Sequence, residues 1–147
     1  MWLSTYKLGL TTTRSDICFV VNTQSQYLVK PRWVHLIVAN HVMRYLKGTI
    51  YFGLYYDRDN DYILYGYIDS YWEGSVTDRK GTSSGWYYLG SSMISWMNKK
   101  QSIVALSMIE AEYIASCYAS WEVIWLQKLM SGIFELDLDT TVILCDN

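Results

Sequence analysis

The stretch that most constrains the fold is Ser107-Met108-Ile109-Glu110, where a long helix is predicted to begin. Ser107 can cap the helix, and Glu110, three residues later, completes an S-x-x-E capping box. The helical pattern continues to about Met130, and Gly132 predicts an end just beyond it. Glu110 therefore has a structural role at the positive end of the helix.

Glu112 lies one turn inside the same predicted helix and has no capping role. Its neighbours include Tyr113, Ile114 and Cys117, and an unpaired carboxylate among apolar side chains is costly. Either Glu112 lies on the solvated side of an amphipathic helix, or it serves a functional site. This stretch alone leaves both interpretations open.

The composition limits the classes of protein that this chain can be. Its 147 residues are 51% hydrophobic and 18% charged, which indicates one domain, or one domain plus a fragment, with a sizeable core. A net charge of −2 gives no global attraction for nucleic acid, so any such binding needs a local basic patch. Three distant cysteines lack metal-ligand spacing, and no run suits a membrane span or signal peptide. We therefore expect an intracellular protein, in the cytoplasm or nucleus.

Two helices and then a series of strands are predicted along the chain. The first helix starts after Ser15, with Asp16 in its first turn, and runs towards Tyr27; the second opens at Pro31 and ends at Gly48. Aromatic and β-branched runs then predict strands at Tyr51–Tyr56, Tyr62–Asp69, Gly85–Leu89, Met93–Trp96, Ile103–Leu106 and Thr140–Asp146. This order predicts an α/β fold (α+β, with a mixed sheet) preceded by two helices.

Three carboxylates are candidates for a shared site. Asp69 and Asp146 each end a predicted strand, and parallel neighbouring strands would bring them to one end of the sheet. A helix packed across the sheet could bring Glu112 to the same point. Three clustered carboxylates repel one another unless a cation such as Mg²⁺ or Mn²⁺ joins them. The alternative is that both aspartates are ordinary turn residues.

Short motifs spread along the chain carry a resemblance to a known family. They resemble, in the same order, the ribonuclease H domain of copia-type LTR retrotransposon polyproteins: Asp69-Ser70-Tyr71-Trp72-Glu73-Gly74, Asp78-Arg79-Lys80, Ile94-Ser95-Trp96, Lys99-Lys100-Gln101, Val104-Ala105-Leu106-Ser107, Glu110-Ala111-Glu112-Tyr113-Ile114-Ala115 and Leu144-Cys145-Asp146-Asn147. Upstream, Thr13-Arg14-Ser15-Asp16-Ile17 and Arg44-Tyr45-Leu46-Lys47-Gly48-Thr49 resemble the segment that joins the reverse transcriptase to that domain. The resemblance covers about Leu10 to Asn147.

The resemblance implies an organisation and a site. Residues 1–50 would be the connecting segment, and residues 51–147 a ribonuclease H-like domain, truncated after its second metal-site strand. Asp69, Glu112 and Asp146 would be the catalytic metal ligands, for Mg²⁺ or Mn²⁺. Glu112 matches the family pattern because apolar and small residues follow it, although Glu110 stays the alternative ligand.

The resemblance also implies a reaction and partners. The domain would cleave RNA in RNA–DNA hybrids by two-metal phosphodiester hydrolysis. Arg79, Lys80, Lys99 and Lys100 would contact phosphates, unless they are merely solvated turn charges. The remainder of the polyprotein, with its reverse transcriptase, would be a partner; no Tyr-x-Asp-Asp polymerase motif occurs in this chain, and no membrane partner is expected.

Departures from the family pattern support a second hypothesis. Tyr71 stands where the family usually has a second Asp, and Glu73 where it usually has Ala. The chain could therefore be a non-catalytic remnant of a degraded element. As it stands, we expect it to cleave a hybrid weakly or not at all.

Overall fold

The computed structural model describes residues 9–57, 62–72 and 79–145. The chain divides into two compact units, Met1–Gly53 and Leu54–Asn147. Each is described by itself below. The interpretation of the first unit as a connecting segment stays a prediction.

The first unit contains the two predicted helices. Helix α1 spans Ser15–Ser25, helix α2 spans Trp33–Gly48, and residues 9–13 are also helical. Arg14, just before α1, forms an ion pair with Asp16 and donates hydrogen bonds to Thr49, just after α2. The hydroxyl of Tyr45 donates to Asp16 at 2.8 Å. These bonds join the start of α1 to the end of α2.

The second unit is a sheet covered by one long helix. Its elements are β1 (Leu64–Tyr71), β2 (Thr82–Leu89), β3 (Ser92–Lys100), α3 (Met108–Phe134) and β4 (Val142–Cys145). The described strands lie in the order β3-β2-β1-β4. β2 is antiparallel to both β1 and β3, whereas β4 is parallel to β1. The predicted mixed sheet is therefore confirmed.

Helix α3 packs on one face of this sheet. The core joins three sheet residues to three helix residues: Leu64, Ile68, Tyr87, Ala119, Val123 and Leu126. Glycine at position 66 makes room for the ring of Tyr87, because a Cβ there would lie 2.9 Å from Tyr87 Cδ1. On the opposite face, the rings of Tyr65 and Tyr88 stack at 5.2 Å and 7°, and Tyr67 meets both edge-on.

Two predicted strands are wrong. Residues 52–57 are exposed and have no regular structure. Instead of strand pairing, two side-chain hydrogen bonds connect them to β3: the Ser92 hydroxyl donates to the Tyr55 carbonyl, and the Tyr56 hydroxyl donates to the Met93 carbonyl. The Ile103–Leu106 segment is likewise not a strand. There the Ala105 carbonyl accepts from Trp72 Nε1, and the Leu106 N–H is used by the helix cap.

The predicted end of the long helix is also wrong, by a few residues. Gly132 lies inside α3, which continues to Phe134. The chain turns at Glu135, which adopts a left-handed backbone conformation with φ of 54°. The Leu136 N–H then reaches back to the Met130 carbonyl at 3.3 Å. This is the capping geometry that glycine usually supplies, here adopted by a glutamate.

Candidate functional site

The start of α3 assigns different roles to its two glutamates. Ser107 Oγ accepts a hydrogen bond from the Glu110 N–H at 3.2 Å, so Ser107 is the predicted cap. The Glu110 carboxylate accepts from the Leu106 N–H at 2.6 Å, one residue earlier than an ideal capping box requires. Glu110 is therefore engaged in capping the start of the helix, as expected.

Glu112 lies on the side of α3 that faces the sheet. Farther along the helix, Glu122 accepts from Ser95 on β3, and Gln127 donates to Thr141 just before β4. With about 100° of rotation per residue, Glu112 falls between these two contacts around the helix axis. Glu110 falls about 160° away from Glu112, towards the outside. Both glutamates are half-buried, so their angular positions around the helix, rather than their burial, favour Glu112 for a site on the sheet.

Asp69 lies near the end of β1 and is exposed. Strand alternation puts it on the face of Tyr65 and Tyr67, whereas its neighbour Ile68 packs against α3. In the parallel pairing with β4, Ile68 lies opposite Cys145. Asp146 follows Cys145 in the sequence but lies outside the described residues. The predicted meeting of Asp69 and Asp146 therefore stays a prediction.

One buried side chain shows that α3 begins at the same end of the sheet as Asp69. Gln101 donates to Ser83 Oγ and to the Ala111 carbonyl, each at 3.0 Å. Ser83 is the register partner of Ser70, which follows Asp69. The structure thus brings Asp69 and the Glu112 turn to one end of the sheet, with Asp69 on the face of β1 that points away from α3.

The two carboxylates have the chemistry that a hard cation requires. No described residue donates a hydrogen bond to Asp69 or Glu112 or forms an ion pair with either, in contrast to Glu110 and Glu122. Carboxylate oxygens without a protein partner are suitable ligands for Mg²⁺ or Mn²⁺. Within the described ranges, no group of three or more His, Cys, Asp or Glu side chains could hold a metal ion. The proposed trio includes Asp146, which those ranges do not contain.

The four basic candidates gather at one corner of the same end. Lys80 precedes β2 and Lys99 and Lys100 end β3, where Thr82 pairs with Lys100. Arg79 is exposed and has a positive φ of 51°. Two of the lysines make internal contacts: Lys80 Nζ donates to the Ser102 carbonyl at 2.7 Å, and Lys99 Nζ lies 5.0 Å from the centre of the Tyr118 ring.

A cluster of buried polar side chains at this end of the sheet was not predictable from the sequence. Gln101, Ser83 and Ser70 lie between β1, β2 and the start of α3, and Gln101 is only 1% exposed. In the sequence, Gln101 directly follows two lysines. A glutamine beside charged residues gives no signal of burial, so the pattern could not identify it.

Comparison with known proteins supports the resemblance to copia-type polyproteins. The chain is 38% identical over 138 residues to the retrovirus-related Pol polyprotein from transposon RE1 of Arabidopsis thaliana, which covers 92% of this chain and 9% of that polyprotein. It is 34% identical over 139 residues to the corresponding polyprotein from transposon TNT 1-94 of Nicotiana tabacum, covering 92% of this chain and 10% of that one. It is also 39% identical over 114 residues to the secreted RxLR effector protein 161 of Plasmopara viticola, covering 78% of this chain and 80% of that protein.

Two of these three relatives are retrovirus-related Pol polyproteins of transposons, and this chain spans about a tenth of the length of each of those two. The chain belongs to the copia-type family of these Pol polyproteins. No protein-family model matches it. No solved structure matches it either. None of the helices in the described part of the chain is both long enough and apolar enough to cross a membrane.

Proposed function

We propose that this region is a ribonuclease H-type nuclease domain of the polyprotein, which cleaves the RNA strand of RNA–DNA hybrids. The observation that carries the proposal is the parallel pairing of β1 with β4, in which Ile68 lies opposite Cys145. Asp69 and Asp146 each follow one of these paired residues in the sequence. Helix α3 begins at the same end and directs Glu112 towards the sheet.

In this proposal each acid has a defined role. Asp69, Glu112 and Asp146 would hold Mg²⁺ or Mn²⁺, and such ions, when bound, activate water and stabilise the leaving oxygen in phosphodiester hydrolysis. We assign the ligand role to Glu112 and the capping role to Glu110, because the Glu110 carboxylate accepts a hydrogen bond from the Leu106 N–H. The cap also fixes the first turn of α3, and thereby the direction in which Glu112 points.

The basic corner would hold the hybrid by its phosphates. Neighbouring strands lie about 4.8 Å apart, so Lys99 and Lys100 on β3 lie roughly 10 Å from β1. That spacing lets the lysines bind backbone phosphates while another part of the same strand reaches Asp69. Contacts of this kind position a nucleic acid without selecting its sequence.

A second candidate function, a non-catalytic module, is favoured by two observations. Asp69 lies on the face of β1 that points away from α3, and Tyr71 stands where the resemblance leads us to expect a second aspartate. A module of this kind would keep the fold and bind neither metal nor hybrid. The two proposals therefore differ in a measurable way.

Cleavage of a labelled RNA–DNA hybrid tests the proposal. The 147-residue chain should be compared with the same chain joined to the sequence that flanks the matched region in the RE1 polyprotein. We expect Mg²⁺-dependent cleavage that is far stronger in the extended protein, because supporting structure positions water and phosphate. Asp69→Asn and Glu112→Gln should reduce it to background.

Two matched substitutions serve as controls for the cleavage assay. Glu110→Gln retains a capping side chain, and Asp139→Asn lies in the loop before β4, near the start of that strand. Both should leave cleavage within about twofold of the wild type, since neither residue is proposed to bind metal. Cleavage by the extended protein that persists in Asp69→Asn would rule the proposed site out.

A further inference from the structure

Gln101 links three parts of the second unit at the end that carries Asp69. It directly follows β3, and its N–H donates to the Gly81 carbonyl at 2.8 Å. Its side-chain Nε2 donates to Ser83 Oγ on β2 and to the carbonyl of Ala111 in α3, each at 3.0 Å. Ala111 is the residue before Glu112. A single buried amide therefore joins the sheet to the turn that carries the proposed ligand.

Packing alone holds this end of α3 less firmly than the other end. The buried residues in the first half of the helix are alanines, at positions 111, 115 and 119. The larger buried side chains, Val123, Leu126 and Met130, all lie in the second half. Because dispersion attraction grows with the number of atoms in contact, the first turns depend more on specific hydrogen bonds.

The surroundings of Gln101 are shaped around its amide. A Cβ at Gly81 would lie 2.9 Å from Gln101 Oε1 and 2.8 Å from the Tyr71 carbonyl, so glycine there makes room for the side chain. Gln101 Oε1 and Ser70 Oγ are buried and have no hydrogen-bond partner within the described part of the chain. Burying polar atoms without hydrogen bonds is costly, so the two bonds that Gln101 Nε2 does make are what holds this amide in place.

We propose that Gln101 is a positioning residue, which fixes the first turns of α3 against β2 and so holds Glu112 at the acidic end of the sheet. This inference rests on the proposed nuclease function, because it gives Glu112 the role of a metal ligand. Gln101 does not itself touch the metal or substrate; it acts through the Ala111 carbonyl.

The test compares two Gln→Met substitutions in the full chain. Gln101→Met keeps the length of the side chain and removes its donors. Gln127→Met is the matched control, since Gln127 also ties α3 to a neighbouring segment by its amide, but at the far end of the helix from Glu112. Two quantities are measured: the Mn²⁺ dissociation constant by titration, and amide hydrogen exchange in residues 108–116.

We expect Gln101→Met to weaken Mn²⁺ binding by about tenfold or more, the usual effect of losing a group that supports a metal ligand. Amide hydrogen exchange in residues 108–116 should become faster in Gln101→Met. Gln127→Met should change neither the Mn²⁺ dissociation constant nor the exchange in residues 108–116. If Gln101→Met fails to fold, Ser83→Ala tests the same link, because it removes one of the two acceptors. It should weaken Mn²⁺ binding by a smaller factor, roughly threefold.

Several outcomes would overturn the inference, and they are distinguishable. Folded Gln101→Met with wild-type Mn²⁺ affinity would show that Gln101 does not position Glu112, even if exchange becomes faster. Wild-type affinity in Ser83→Ala would do the same where Gln101→Met is unfolded. If the wild-type chain binds no Mn²⁺, the proposed function fails together with the inference. If Glu112→Gln abolishes Mn²⁺ binding and Gln101→Met does not, only the inference fails.

Discussion

Asp16 is the residue whose ionisation the first unit controls most strongly. The hydrogen bond from Arg14, with a second from Tyr45, lowers the pKa of Asp16 from 3.8 to about 2. A carboxylate with a lowered folded pKa stabilises the folded state above its unfolded pKa, and that contribution is lost as the pH falls through the folded value. The Asp16 contribution is therefore complete above about pH 4–5 and disappears towards pH 2.

Asp16→Asn should remove this pH dependence. Since the side chain of Asp16 is 37% exposed, screening reduces the expected loss at pH 7 to about 0.5–1 kcal/mol. Urea unfolding of the wild type and the variant at pH 7 and pH 2.5 measures the difference, which should shrink at the lower pH. Tyr45→Phe, which removes only the second hydrogen bond, should show a smaller effect of the same sign. Equal losses at both pH values would contradict the assignment.

The start of α3 offers a second prediction, in which three substitutions should separate structural from functional carboxylates. Ser107→Ala should destabilise the second unit by roughly 0.5–2 kcal/mol, because the Glu110 N–H loses its acceptor. Glu110→Gln should cost less, since an amide oxygen can still accept from Leu106. Glu112→Gln should leave stability unchanged or raised, since no described residue donates to its carboxylate.

Thermal melts in the presence of a chelator measure all three variants under one condition. The chelator removes any contribution from bound cations, so the melts report the protein's own contacts. A clear decrease in melting temperature for Glu112→Gln would identify Glu112 as a structural residue. Glu110 would then be the candidate metal ligand of the helix.

At the scale of the elements, Gly66 in β1 is tightly packed, whereas Gly132 in α3 has open space beside it. A Cβ at Gly66 would meet the buried ring of Tyr87 at 2.9 Å, whereas a Cβ at Gly132 would meet nothing within 4 Å. Gly66→Ala should therefore destabilise the fold by about 1–3 kcal/mol through overpacking. Gly132→Ala should stabilise it by about 0.5–1 kcal/mol, since alanine is the better helix former. Chemical denaturation measures both, and stabilisation by Gly66→Ala would show that the Tyr87 ring is not held there.

Elements with local signals were predictable from the sequence. The Ser107 cap, the two early helices and the alternation in β1, β2 and β3 depend on neighbours in sequence, and all are found. Tyr51–Tyr56 and Ile103–Leu106 have strand-like composition, but neither pairs with a strand among the described residues, and a backbone carbonyl of each accepts a hydrogen bond from a side chain instead. Pairing is a long-range property, which the composition of a single segment does not encode.

The candidate site stays a prediction, and only the positions of its described residues can be compared with the sequence. The choice of Glu112 over Glu110 agrees with helix geometry, because the cap engages Glu110 and the 200° turn between the two residues directs Glu112 inward. The face of Asp69 was not predictable, since it depends on which side of β1 receives α3. Nor was the burial of Gln101 predictable, since its side chain bonds two segments that are distant in sequence, at Ser83 and at Ala111.

For the whole molecule, a net charge of −2 gives no global attraction for nucleic acid, so the proposed hybrid binding would need a local basic patch, for which the basic corner is the candidate. Replacing both Lys99 and Lys100 with glutamine should reduce the slope of log affinity against log salt by about 1–2, since each phosphate contact contributes roughly 0.7–0.9. Titration of a labelled hybrid without divalent metal, at several salt concentrations, measures the slope. Lys128→Gln, an exposed change near the far end of α3, is the control and should leave it unchanged.

The Lys99/Lys100 variant loses two charges and Lys128→Gln loses one. The same change in slope per removed charge in both variants would contradict a local binding corner, because the hybrid would then respond only to total charge. In that case, the salt dependence would carry no information about where the nucleic acid lies on the sheet.

The stacked pair of Tyr65 and Tyr88 reports the register between β1 and β2 in circular dichroism. The two phenol rings lie 5.2 Å apart, close enough for their electronic transitions to couple, and the edge-on ring of Tyr67, 6.0 Å from that of Tyr88, supplies the non-parallel transition moments that an exciton signal in circular dichroism requires. A slip of one residue would move one ring to the other face and abolish the coupling. Refolding of this chain can therefore be followed without an added dye. During refolding, the helical signal reports the formation of α3 and the exciton signal reports the pairing of β1 with β2. The time between the two signals therefore measures how long after the helix the strands pair.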